Sequence, residues 1–269
     1  MALALSLVGQ VVFVLSLFEW LSPELIYLVV ASVQLLLIYF MPSFLHRVFS
    51  TVVAIGALIG SFTVAGVPHV LIFGGLLIFP TTWLCLNEFR LIKHYKVLKG
   101  VMYGLVIATL LLNSSHVFFD DFEQLLSSKA TLLTLPYWFA DIVYITAIVF
   151  VAWQLLLSNK IDIHSKLSKL VLLFSLVLAI ATFKAPGIGV GLMVIVLGFA
   201  HSNRTLLGLG VCSLIVYSSS YYYMMEETLL LKSGILLAVA MFMLVSRLVL
   251  KKALPLLNEI DSHAHSEDK

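Results

Sequence analysis

Long apolar runs broken by short polar stretches fill the chain from one end to the other. A bilayer core of about 30 Å is crossed by roughly 20 apolar residues in a helix, with about 17 as the lower bound. Runs of that length lie at about 2–19, 25–41, 48–66, 69–86, 97–113, 137–157, 169–184, 186–201, 205–221 and 229–250. The pattern predicts an all-α integral membrane protein, a polytopic bundle of about ten transmembrane helices over residues 1–252, followed by a polar cytoplasmic tail at 253–269. Runs seven and eight are short, meet at Lys184, Ala185 and Pro186, and the eighth opens with glycines at 187, 189 and 191. A re-entrant pair, leaving eight true spans, is therefore an alternative. The runs also divide into possible halves, 1–113 and 137–250, of opposite orientation, as in transporters built from inverted repeats.

Orientation follows from the basic residues, because Lys and Arg beside membrane spans stay in the cytoplasm. Arg47 follows the second run, Arg90, Lys93, Lys96 and Lys99 the fourth, Lys160, Lys166 and Lys169 the sixth, and Arg204 the eighth. Arg247, Lys251, Lys252 and Lys269 lie at or beyond the end of the tenth. Only Lys129, Lys184 and Lys232 fall on the other side. Both termini are thus expected in the cytoplasm.

Composition narrows the class. The chain of 269 residues is 61% hydrophobic and 11% charged, against about 25% charged in an average soluble domain. A mean hydropathy of +1.09 leaves no room for a large water-facing domain. A net charge of +2 is too small for a nucleic-acid footprint. Cys85 and Cys212 sit in apolar runs without His or Cys at ligand spacing and read as packing residues, so no metal site and no cofactor is expected. The first run lacks the basic start and small-residue cleavage site of a signal peptide, and no lipidation motif is present.

Candidate chemistry is sparse. The long connection 114–136 carries Phe118, Phe119, Phe122, Leu125 and Leu126 at helical spacing opposite Asp120, Asp121 and Glu123. It reads as an outer interfacial helix whose acidic face suits a protein partner. Ionisable residues at membrane depth are costly and mark candidate sites. Asp141 lies one turn inside the sixth run, on one helix face with Tyr137 and Tyr144. Together with Lys184, Glu226, Glu227 and Lys232 it would form an outer polar cluster, rimmed by Tyr137, Tyr144, Tyr221, Tyr222 and Tyr223. Snorkelling of Asp141 to the interface and plain ion pairing are the bland alternatives. No HExxH, GxSxG, P-loop or dinucleotide fingerprint occurs, so no catalytic residue is assigned. Gly56 and Gly60 form a GxxxG, and Ser213, Tyr217 and Ser220 make a polar stripe on the ninth run; both suit helix packing in lipid.

The stretches GFAHSNRTLLGLG at 198–210, SSYYY at 219–223 and TLLLKSGILL at 228–237 resemble, in order and spacing, the C-terminal part of an uncharacterised family of bacterial inner-membrane proteins, a domain of unknown function. The resemblance covers the chain from about Pro186 to Leu250. It places His201, Asn203 and Arg204 in a tight cytoplasmic turn. It implies a multi-pass protein of the bacterial inner membrane with protein partners, namely a second multi-pass protein and a membrane-anchored protein carrying a GDYxxLxY signature. The expected function is a non-enzymatic membrane subunit of an inner-membrane assembly. The alternative is a small-solute or ion transporter with Asp141 as its coupling carboxylate.

Overall fold

A computed structural model describes residues 2–64, 70–87, 95–118, 137–159, 165–182 and 186–224, with isolated helical positions between 230 and 244. Of Tyr137, Asp141 and Tyr221 to Tyr223 only the helical backbone is described. Every described element is a helix: α1 (Ala2–Trp20), α2 (Pro23–Phe40), α3 (Phe44–Val64), α4 (Val70–Leu86), α5 (Tyr95–Phe118), α6 (Tyr137–Ser158), α7 (Lys166–Thr182), α8 (Pro186–Ala200) and α9 (Arg204–Met224). By length and composition, Phe44–Val64 and Tyr95–Asn113 are able to cross a membrane, and six other described helices carry shorter apolar segments.

The chain divides into two compact units, Met1–Tyr221 and Tyr222–Lys269. In the second, the described positions Leu230, Ser233, Leu237, Ala240, Met241 and Leu244 are helical and exposed.

Within the first unit, side-chain pairs fix the direction of each helix. Gln10 meets Gln34, and Phe62 stacks on Phe73 at 5.3 Å, so α1 and α2, and α3 and α4, are antiparallel. Arg47 lies against Gly100 and Thr51 against Gly104, so α3 and α5 run parallel. Val143 approaches Gly75 and Phe150 approaches Phe79, so α6 runs with α4. Tyr144 reaches Thr182 near the end of α7. In the α8–α9 hairpin Gly198 faces Leu207, Ile195 faces Gly210 and Gly191 faces Ser213. Helix direction therefore alternates along the chain. The ends of α2, α4, α6 and α8 and the starts of α3, α5, α7 and α9 share one end of the bundle.

Local chemistry explains the boundaries. Pro23 opens α2 and Pro186 opens α8, where the missing N–H costs nothing. Pro80 lies inside α4, and the hydroxyls of Thr81 and Thr82 bond the carbonyls of Leu77 and Ile78 beside that break. The α8–α9 crossing is close because of glycine: a Cβ on Gly210 would stand 2.8 Å from the Ile195 nitrogen, and one on Gly198 2.7 Å from that of Leu207. The main core joins Ile78, Met102, Val106, Ala147, Val190 and Leu197, and a smaller cluster joins Ile26, Val30, Ala31 and Ala57.

Candidate functional site

The outer polar cluster expected from the sequence lies mostly outside the described residues: Lys184, Glu226, Glu227 and Lys232 are not described, nor are Asp120, Asp121 and Glu123. Tyr144, expected in its aromatic rim, is buried at 5% exposure. Its hydroxyl lies 3.3 Å from that of Thr182, which itself donates to the Leu178 carbonyl at 2.8 Å. The space it fills exists because residue 189 is glycine; a Cβ there would overlap the Tyr144 hydroxyl. Tyr217 docks in the same way over Gly187 and donates its hydroxyl to the Leu110 carbonyl of α5. Two of the three glycines opening α8 are thus seats for tyrosines from α6 and α9. Thr81 and Thr109, 3.2 Å apart, and buried Asn113 extend a polar seam between α4 and α5.

The turn between α8 and α9 is described in full. Ser202 takes a left-handed φ of 51°. Its N–H bonds the Phe199 carbonyl, and that of Asn203 bonds the Gly198 carbonyl at 2.9 Å, which closes α8 in a Schellman arrangement. Asn203 Oδ1 then accepts from the N–H groups of Thr205 and Leu206, capping α9. Its Nδ2 donates to the Tyr103 hydroxyl at 2.7 Å. The Asn203 backbone N–H closes one helix, and its side-chain amide caps the next and fastens the turn to α5. Arg204 is exposed and His201 half-buried beside it.

Three further polar residues, Gln10, Gln34 and His46, meet between α1, α2 and α3. Gln34 Nε2 donates to Gln10 Oε1 at 3.0 Å, and Gln10 Nε2 lies 3.2 Å from His46 Nε2, which accepts when the ring carries its proton on Nδ1. Ser50, one turn beyond His46, is buried, and its hydroxyl and Gln34 Oε1 have no partner among the described residues. Arg47 turns from this chain toward α5, where Nη1 donates to the Lys96 carbonyl at 2.9 Å. A signal was present in the sequence: Gln10 and Gln34 are lone amides in otherwise apolar runs, and such groups need partners when buried.

An apolar cavity of about 310 Å³ opens between α6, α7 and α8, bordered by Val151, Leu155, Phe174, Leu178 and Leu192. Among the described residues no three His, Cys, Asp or Glu side chains come together as metal ligands.

The molecule these features define is an all-helical bundle in which several buried polar groups are tied from helix to helix. The family pattern of the domain of unknown function DUF4401 matches residues 1–253, and the chain belongs to that family. The match extends the C-terminal resemblance over nearly the whole chain. No curated protein and no solved structure matches it.

Proposed function

We propose that this chain is a ten-span protein of the bacterial inner membrane with both termini in the cytoplasm, serving as a non-enzymatic membrane subunit of a larger assembly. The observation that carries the membrane reading is the inverted distribution of side chains. Leu35, Leu36, Phe40, Leu173, Phe199 and Ile215 face outward, with Phe199 70% exposed, whereas Gln34, His46, Thr81, Thr109, Asn113 and Thr182 are buried. Water penalises such a surface, and lipid favours it. The alternating helix directions add support. They bring Arg47, Lys96, Lys99, Lys169 and Arg204 to one end of the bundle, the end the basic-residue rule assigns to the cytoplasm.

The subunit reading rests on how the interior is used. Its described polar groups are largely taken up in helix-to-helix and side-chain-to-backbone bonds, and the cavity between α6, α7 and α8 is lined by apolar side chains. Such packing suits a rigid scaffold. The partner-facing surface in this reading is the acidic interfacial segment with Asp120, Asp121 and Glu123. The test is gentle purification of the tagged protein from its own host, with mass spectrometry of what co-purifies. A membrane-protein partner at fixed ratio, lost when Asp120, Asp121 and Glu123 are changed to Ala, is the expected result. Recovery without partners, together with a solute flux abolished by Asp141→Asn, would overturn it in favour of the transporter.

A further inference from the structure

Every helix after α1 that begins at the end carrying the Asn203 turn begins with basic residues. Arg47 lies in the first turn of α3, Lys96 and Lys99 in that of α5, Lys166 and Lys169 in that of α7, and Arg204 opens α9. None of the first turns of α3, α5, α7 and α9 contains an acidic residue. A helix N-terminus already carries a partial positive charge and up to four N–H groups without intrahelical partners, so added cations are unfavourable there and anions favourable.

Arg47 sharpens this general field into one place. It is 8% exposed. Its stem lies flat on α5 at Gly100, where a Cβ would stand 2.8 Å from Arg47 Cβ. Its Nη1 is held by the Lys96 carbonyl in the first turn of α5, and its Nε has no partner among the described residues. The only carboxylate with a described side chain is that of Glu19, exposed at the far end of α1. Among the described residues no carboxylate stands beside this buried guanidinium, which sits on the positive end of a helix dipole.

We propose that Arg47 and the first turn of α5 form a binding site for a phosphate-class anion. The planar guanidinium fork and the N–H groups of a helix start are matched to phosphate oxygens. The anion has two possible sources, free inorganic phosphate or the headgroup of an anionic phospholipid. The lipid source alone rests on the membrane reading above, so the two readings fail separately.

The experiment uses the full-length protein, delipidated in a non-ionic detergent, with thermal stability and native mass spectrometry as readouts. The probes are inorganic phosphate and, separately, nanodiscs of phosphatidylglycerol against phosphatidylcholine. Stabilisation by inorganic phosphate identifies the free anion; stabilisation by phosphatidylglycerol alone identifies the headgroup; either supports the site. Arg47→Gln is expected to weaken binding about tenfold or more, as loss of a charge-assisted pair does. Arg47→Lys, which keeps charge but loses the fork, is expected to weaken it severalfold and carries the comparison if Arg47→Gln does not fold. Glu88, the one acidic residue in the connection before α5, supplies the counter-test. Equal anion binding by wild type and the Arg47 variants, or equal destabilisation by Glu88→Gln and Arg47→Gln without anion dependence, would overturn the proposal.

Discussion

Asn203 shows how much one side chain can hold. Asn203→Ala removes a helix cap and strands the Tyr103 hydroxyl inside the bundle. A cap is worth about 1 kcal/mol and a stranded buried polar group about 1–3. The variant should therefore lose about 2–3 kcal/mol in reversible unfolding from micelles, and Tyr103→Phe about 1 kcal/mol. Ser202 beside it has a left-handed backbone, which glycine adopts freely and β-branched residues resist. Ser202→Gly should match or slightly exceed wild-type stability, whereas Ser202→Val should fall about 1–2 kcal/mol below it. The sequence located this turn through its HSNR motif but assigned no separate role to the Asn203 side chain. The amide was less visible because its roles depend on Tyr103, a hundred residues away.

Tyr144 is the matching case in the interior. Helical spacing put it on the face of Asp141, near the membrane surface, and the spacing argument has no access to what lies across the helix. What lies there is Gly189, and the three glycines of α8 were legible only as possible breaks. Gly189→Ala should destabilise by about 1–3 kcal/mol through overpacking. Combined with Tyr144→Phe, which vacates the contested space, the loss should be smaller than the sum of the two single changes by at least about 0.5 kcal/mol. A strictly additive result would mean that the two positions do not share that space.

At the level of elements the sequence was a close guide. Nine apolar runs correspond to α1 to α9, most ends agreeing within two residues, because a lipid-length apolar run leaves little choice but helix. The misses follow a pattern. α3 begins at Phe44 and α7 at Lys166, each three to four residues before the apolar run, since a helix continues through charged residues that stop a hydropathy count. Arg47 was consequently placed in the connection after the second run, although it and His46 are buried helical residues. The short runs seven and eight form separate helices. α7 reaches from Lys166, beyond the end of α6, to Thr182 beside Tyr144, and α8 returns from Gly189 to the Asn203 turn beside Tyr103. They are two separate helices of 17 and 15 residues, shorter than the 22 residues of α6 and the 21 of α9. The hairpin of α8 and α9 should be the element pair least tolerant of bulk: Gly198→Leu places a side chain against the Leu207 backbone and should abolish recovery of folded protein, while the same change at Gly208, with open space around it, should be neutral in the same assay.

For the molecule as a whole, the pairing of an apolar exterior with an apolar core threaded by hydrogen-bonded polar groups was only partly legible. Composition announced the exterior, but which polar side chains would meet depends on helix order, and sequence carries little of that order. The pairs Gln10–His46, Tyr103–Asn203 and Tyr217–Leu110 each join helices that are not consecutive. The same arrangement brings the basic helix starts to one end, and on it rest both the proposed orientation and the proposed anion site at Arg47. The central claim, a multi-pass membrane protein with that basic end in the cytoplasm, is tested most directly by thiol accessibility in intact cells. In a chain with Cys85 and Cys212 replaced, single cysteines at Ser22, Ser43, Asn159 and Ser202 would be exposed to a membrane-impermeant maleimide. Labelling of Ser22→Cys from outside, with Ser43→Cys, Asn159→Cys and Ser202→Cys reached only after the membrane is opened, is the predicted result. Labelling of Ser22→Cys and Ser43→Cys from the same side, or recovery of the chain in the soluble fraction, would contradict it.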